Sequence, residues 1–126
     1  MNIHFSKTEA KAIISLVIDI AQSDNKIHPN EAMLVEKLCD KFSLSQADII
    51  AAKSLQPDDV VGIISAMPWE KRKLVSYILY VTAGIDGYVH ESESANYYFM
   101  SINCGLVTSE MSFDTAMSTV NDFLKS

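Results

Sequence analysis

The sequence has little of the cysteine, glycine or proline that marks disulfide-stabilised, fibrous or disordered proteins. It contains two cysteines, four glycines and three prolines in 126 residues, while 48% of its residues are hydrophobic. That hydrophobic content is enough to form a core. Cys39 and Cys104 form no CxxC pair, so we interpret both as buried, reduced thiols. The length predicts a single domain over residues 1–126.

The sequence also lacks a membrane-spanning run and a secretory signal. The longest apolar stretches, residues 13–20 and 74–85, are shorter than the roughly 18–20 residues that a membrane span needs. The first residues show no basic region followed by an apolar one. We therefore expect a cytoplasmic protein that does not insert directly into a membrane.

An excess of positive charge is missing as well. The formal net charge is −6, and an acidic surface repels phosphate backbones, which predicts no nucleic-acid partner. The basic cluster over residues 71–73 is short and follows Glu70. We interpret it as a solvated helix face.

No established catalytic motif occurs. The sequence contains no HExxH, no glycine-rich phosphate-binding loop and no GxSxG nucleophile elbow. The acidic segment 24–31 does not have the alternating acids and twelfth-position Glu of an EF-hand. The sequence therefore contains no decisive catalytic constellation.

The sequence does contain residues that typically start and end helices. It lacks the alternation of apolar and polar residues that is typical of strands. Ser6 and Glu9 form a capping box at the start of a first helix that runs to about Ser23. An inward stripe on the second helix is predicted for Met33, Leu34, Leu38 and Phe42. Further helix starts are predicted at Pro29, Ser45, Pro57 and Pro68, and two more helices over about 91–103 and 112–124.

The most informative feature is an internal repeat with an offset of 62 residues. Segments 24–31 and 86–93 share Asp, apolar, His and Glu positions, and each lies between an apolar helix and an amphipathic one. We predict an all-α fold on this basis. It is a compact bundle of about seven helices, with two pseudo-twofold-related helix–turn–helix units around two central apolar helices.

The acids and histidines of the repeat have two interpretations. If His28 and His90 are N-cap residues, Glu31 and Glu93 fall at the third helical position, where a carboxylate caps the helix and meets the positive end of its dipole. Local capping explains these residues without a ligand. Coordination of an ion by the same side chains is the second interpretation.

These segments resemble the tellurite-resistance TerB-like family. Its members show an Ala-x-Ala-Asp-Gly-x-Ile-x-x-x-Glu type of segment at the end of a long apolar helix, often in two places. The resemblance covers about residues 13–106, although Asn25 replaces the glycine in the first unit. The matching residues are Asp24, Ile27 and Glu31 in the first unit, and Asp86, Gly87, Val89 and Glu93 in the second.

The resemblance implies a stress-response domain rather than a defined enzyme. The family includes the tellurite-resistance protein and the matching domain of a membrane-anchored J-domain co-chaperone, and a divalent-cation site on its shared acids has been proposed. Carried onto this sequence, the resemblance implies a protein partner, and that partner can belong to a membrane-associated complex. The implied metal ligands are Asp24, Glu31, Asp86 and Glu93, with His28 and His90 as adjacent candidates.

Three functional hypotheses follow from these observations. The first is a non-enzymatic TerB-like interaction domain with an acidic surface and a divalent-cation site. The second is a small metal-dependent hydrolase that uses the paired Asp, His and Glu side chains, which requires both turns to meet in one cleft. The third is a purely structural or regulatory module in a stress or phage-defence complex.

Overall fold

The computed structural model describes residues 2–22, 29–84 and 112–126, and the regular structure in these ranges is entirely α-helical. The predicted all-α class is therefore confirmed. The predicted helix over about 91–103 lies outside the described residues, so six helices are observed where about seven were predicted. They are α1 (Lys7–Ala21), α2 (Pro29–Phe42), α3 (Gln46–Lys53), α4 (Pro57–Ser65), α5 (Trp69–Gly84) and α6 (Phe113–Lys125).

The predicted capping serines start their helices as expected. The hydroxyl of Ser6 accepts a hydrogen bond from the amide of Glu9 at 3.1 Å, and the Glu9 carboxylate accepts one from the amide of Ser6 at 2.8 Å. Ser45 and Asp48 form the same reciprocal pair at the start of α3. Each box satisfies amide groups that the first turn of a helix leaves without an intrahelical partner.

The core is built around α1. This helix packs against α2, α3, α4 and α5, and α5 packs in turn against α6. Ten of the 15 residues of α1 are buried, so neighbours cover it on most sides. The predicted contact between the two apolar helices, α1 and α5, is confirmed.

Three phenylalanines attach the segment before α1 to the bundle. The Phe5 ring lies 5.8 Å from both Phe42 and Phe123, and the latter two rings are 5.9 Å apart. Two of these contacts are edge-to-face, a favourable arrangement for aromatic rings. The ammonium groups of Lys41 and Lys71 lie over the rings of Phe123 and Phe5 at 5.3 and 5.5 Å.

The predicted inward stripe of α2 is wrong at one position. Met33 is 53% exposed, whereas Leu34 and Leu38 are buried and Phe42 is half-buried. The place on the inward face is taken by Glu31, which is 1% exposed. Glu31 precedes Leu34 by three residues and Leu38 by seven, so all three lie on one face, while Met33 is rotated about 200° from Glu31.

None of the six described helices is long and apolar enough to cross a membrane. The longest of them, α5, has 16 residues and starts with charged side chains.

Candidate functional site

One of the six predicted site residues falls within the described part of the chain. Glu31 is the third residue of α2, which is the position predicted for it. The other five candidates lie outside the described residues, and they are Asp24, His28, Asp86, His90 and Glu93.

Glu31 differs from Glu9 and Asp48, which also occupy the third position of a helix and form a capping box there. The side chains of Glu9 in α1 and Asp48 in α3 remain 19% and 15% exposed, whereas Glu31 as a residue is 1% exposed. Glu9 and Asp48 cap their helices, pair with lysines and still keep contact with water. A carboxylate at the apolar face needs hydrogen bonds or positive charge to offset its lost hydration. Part of that compensation comes from the positive end of the α2 dipole.

Asp19 adds a second carboxyl group beside the first acidic segment. It lies in the third-last position of α1, where the negative end of the helix dipole disfavours a carboxylate. Asp19 is exposed, and partial desolvation by its neighbours raises the pKa of its carboxyl group. The sequence analysis did not single out Asp19. The sequence feature that could have identified Asp19 is an acidic residue at the end of an apolar stretch, five residues before Asp24.

The first turns of α1 and α5 are joined by an ion pair between equivalent positions of the predicted repeat. The ammonium of Lys71 lies 2.8 Å from the Glu9 carboxylate, and the two residues are 62 apart in the sequence. Burial raises the pKa of Glu9, but the hydrogen bonds from Lys71 and Ser6 outweigh this effect, so its pKa is lowered. The two apolar helices therefore begin on the same side of the molecule.

Within the described ranges, no group of three or more His, Cys, Asp or Glu side chains is placed to hold a metal ion. Five of the predicted ligands and neighbours lie outside those ranges, so this observation leaves the predicted cation site as a prediction. Cys39, which lies on α2, is a free, buried thiol whose pKa is raised, first by burial and then by the charge of Asp40. A raised pKa keeps the thiol protonated and makes it a poor nucleophile.

The burial of Glu31 is the site feature that sequence reasoning missed. Hydrophobicity alone places Met33 on the inward face and Glu31 at a solvent-exposed cap. The signal that reveals the true face is the spacing of three and four residues that connects Glu31 to Leu34 and Leu38.

Comparison with known proteins gives a family match over the first part of the chain and a match to solved structures. The model of the family described as tellurite resistance protein TerB matches residues 1–54. A crystal structure of a protein of unknown function from Porphyromonas gingivalis W83 is similar to this chain with a TM-score of 0.73 and 26% sequence identity. The similarity covers 98% of this chain and 99% of that one. No curated protein matches the sequence significantly.

The family match contains α1, the first acidic segment, α2 and α3, which are the elements around Glu31. It agrees with the resemblance that the Asp24 to Glu31 segment predicted. Residues 1–54 are thus TerB-like, and the predicted resemblance to the tellurite-resistance TerB-like family is confirmed over these residues. The second acidic segment lies beyond the matched range.

Proposed function

We propose that this protein is a non-enzymatic, cytoplasmic TerB-like interaction domain whose acidic turns bind a divalent cation. The proposed ligands are Asp24, Glu31, Asp86 and Glu93. His28 and His90 are adjacent candidates for ligands. The proposed partner is a protein, which can belong to a membrane-associated complex.

The observation that carries this proposal is the burial of Glu31 on the inward face of α2. A carboxylate on a buried face loses hydration, and a bound cation is one of the groups that can offset that loss. Asp19 strengthens the argument because it adds negative charge where the first acidic segment begins. The TerB match supports it independently, since the matched residues include both Asp24 and Glu31.

A site shared by the two acidic segments requires them to begin near each other. The Glu9–Lys71 ion pair places the starts of α1 and α5 side by side, and the two helices pack together. This arrangement favours a common side for their last residues, Ala21 and Gly84. The acidic segments follow directly after these two residues in the sequence.

The ligand chemistry distinguishes two classes of cation. Carboxylate oxygens favour calcium and magnesium, which are hard ions. Participation of His28 or His90 would shift the preference towards zinc, because imidazole is a softer ligand. The proposal therefore specifies a divalent cation and leaves the choice among these ions to measurement.

The test is thermal unfolding of the wild type and of the Glu31→Gln/Glu93→Gln double variant, with and without calcium, magnesium or zinc. An ion that binds the folded state raises its melting temperature by mass action. We expect such a rise in the wild type and its loss in the variant, since an amide oxygen is a weaker ligand than a carboxylate.

Two outcomes would contradict the proposal. If no ion shifts the wild-type melting temperature, the acids act as local caps only. If the shift persists in the double variant, the ion binds elsewhere. The matched control is Glu36→Gln, which removes an exposed carboxylate from the same helix and should leave the ion-dependent shift unchanged.

A further inference from the structure

A groove of about 480 Å³ lies between α2 and α6, away from the first turn of α2 that carries Glu31. It is formed by the C-terminal halves of both helices, and α2 contacts α6 directly. The residues that line it are Lys37, Asp40, Lys41, Asn121, Leu124 and Lys125.

The groove is positively charged on a chain whose net charge is −6. Three lysines face one aspartate, which gives the lining a net charge of +2. Lys37 and Lys125 are exposed and form no ion pair within the part of the chain that the structure describes. Lys41 is held in place, because it donates to the main-chain oxygen and hydroxyl of Ser126 and lies over the Phe123 ring.

The chemistry of the groove fits an extended acidic chain better than a compact anion. Sites for phosphate or sulfate gather backbone amide groups at a helix N-terminus or use the bidentate fork of an arginine. This groove has neither feature, because its lining contains no arginine and it lies away from the N-terminal amide groups of both helices. Its ammonium groups come from two different helices, and Leu124 adds an apolar contact.

We propose that this groove, defined by Lys37, Lys41 and Lys125, binds an acidic, extended peptide segment of a partner protein. Charge complementarity sets the occupant, since carboxylates spaced along a peptide can contact ammonium groups on both helices. The inference rests on the proposed role as an interaction domain and supplies the chemical class of its partner. The cation site uses the opposite end of α2, so the two proposals are separable.

The test uses fluorescence anisotropy with a labelled octaglutamate peptide and the full chain at low ionic strength. We expect the wild type to bind this peptide more tightly than a matched octaglutamine peptide. The Lys37→Gln/Lys125→Gln variant should bind octaglutamate about 2- to 30-fold more weakly, given the strength of exposed ion pairs. Binding should also weaken as salt is added.

Lys53→Gln is the matched control, because Lys53 is an exposed lysine in the last turn of α3, outside the groove. It should leave octaglutamate binding unchanged. The proposal is overturned if the wild type does not prefer octaglutamate, or if Lys53→Gln weakens binding as much as the double variant. Equal binding of a thymidine oligonucleotide, or complete displacement by millimolar inorganic phosphate, would also overturn it.

The ion-dependent melting shift of the Lys37→Gln/Lys125→Gln variant separates this proposal from the cation proposal. A shift that remains in a variant unable to bind octaglutamate shows that the groove and the cation site act independently. If octaglutamate binds as expected while no ion shifts the wild-type melting temperature, the peptide-binding proposal is supported and only the cation proposal is contradicted.

Discussion

Asp48 performs two roles with one carboxylate. It accepts a hydrogen bond from the amide of Ser45 at 2.9 Å and lies 3.2 and 3.6 Å from the ammonium groups of Lys7 and Lys11. It therefore caps α3 and also attaches α3 to α1. The hydrogen bond from the Ser45 amide is the main cause that lowers the pKa of Asp48 to about 2, with Lys7 contributing further.

This lowered pKa predicts a pH-dependent contribution of Asp48 to stability. The contribution is present above the ordinary aspartate pKa and is lost as the pH falls towards 2, because the unfolded chain binds the proton first. Asp48→Asn should therefore be less stable than the wild type at pH 6, and the difference should shrink between about pH 4 and pH 2. Urea unfolding at a series of pH values measures this effect.

Asp122→Asn is the control for the Asp48 prediction, because Asp122 is exposed on α6 and forms no ion pair among the described residues. Its unfolding free energy should stay close to that of the wild type. A constant difference between Asp48→Asn and the wild type from pH 6 to pH 2 would show that the carboxylate charge contributes nothing.

The role of a residue could be predicted where interactions with its sequence neighbours determine it. The prediction failed where tertiary packing determines it. Ser6 and Ser45 were identified as caps because a capping box involves residues three positions apart. Met33 was placed inside and is exposed, while Glu31 was treated as a cap and is also buried. The rotation of α2 depends on its packing against α1 and α6, and the hydrophobicity of single residues does not report it.

At the scale of elements, α1 contributes more buried hydrophobic residues to the core than any other described helix. It contacts four other helices, and Leu16 is 4% exposed. Leu79 is fully buried in α5, the second central helix. Both helices were recognised from apolarity on nearly every face, which a helix shows when neighbours cover it.

Removing these side chains should destabilise the fold. Leu16→Ala and Leu79→Ala should each lower the free energy of unfolding by roughly 2–5 kcal/mol, because each leaves a cavity. Ile50→Ala is the control, since Ile50 is 58% exposed on α3 and its loss should change stability by less than about 0.5 kcal/mol. Chemical denaturation of the three variants measures the differences. An unchanged midpoint for Leu16→Ala would mean that α1 is not central.

Helix boundaries were predicted to within about a residue where proline or a capping serine marks them. Helix α4 was predicted over about 58–66 and is observed at Pro57–Ser65. Helix α5 was predicted to open at Pro68, whose carbonyl accepts from the Arg72 amide, and its first residue is Trp69. The helix predicted over about 91–103 lies outside the described residues.

At the scale of the whole molecule, the Glu9–Lys71 ion pair bears on the predicted duplication. A twofold axis that passes between two units brings equivalent positions near the axis into contact. The pair joins positions 62 residues apart, the offset found in the sequence. This supports the predicted duplication, which the helix contacts of the described residues do not by themselves establish.

An experimental structure of the full chain tests the duplication. Residues 14–38 should superpose on residues 76–100 as two helices joined by a turn, with Glu31 overlying Glu93. The control comparison is residues 14–38 against residues 46–70, which cover α3, α4 and the connections around them and should not superpose. Failure of the first superposition would remove the basis for a shared cation site.

The sequence was a better guide to this fold than to its function. Helix signals are repeated along the whole chain, so the all-α class follows from many independent residues. The site depends on six side chains in two short segments, and both capping and coordination use the same residue types. Full burial is what distinguishes Glu31 from the half-buried caps Glu9 and Asp48, and burial is set by tertiary packing.

Calorimetric titration of the wild type, Glu31→Gln and Glu93→Gln with the ion that raises the melting temperature tests the central claim most directly. That claim is that the two acidic segments hold one cation together. The account predicts one ion per wild-type chain and a marked loss of affinity in each single variant, because each removes a ligand of the same site. Two ions per chain, each lost in a different variant, would contradict a shared site. No measurable binding in the wild type would contradict cation binding itself.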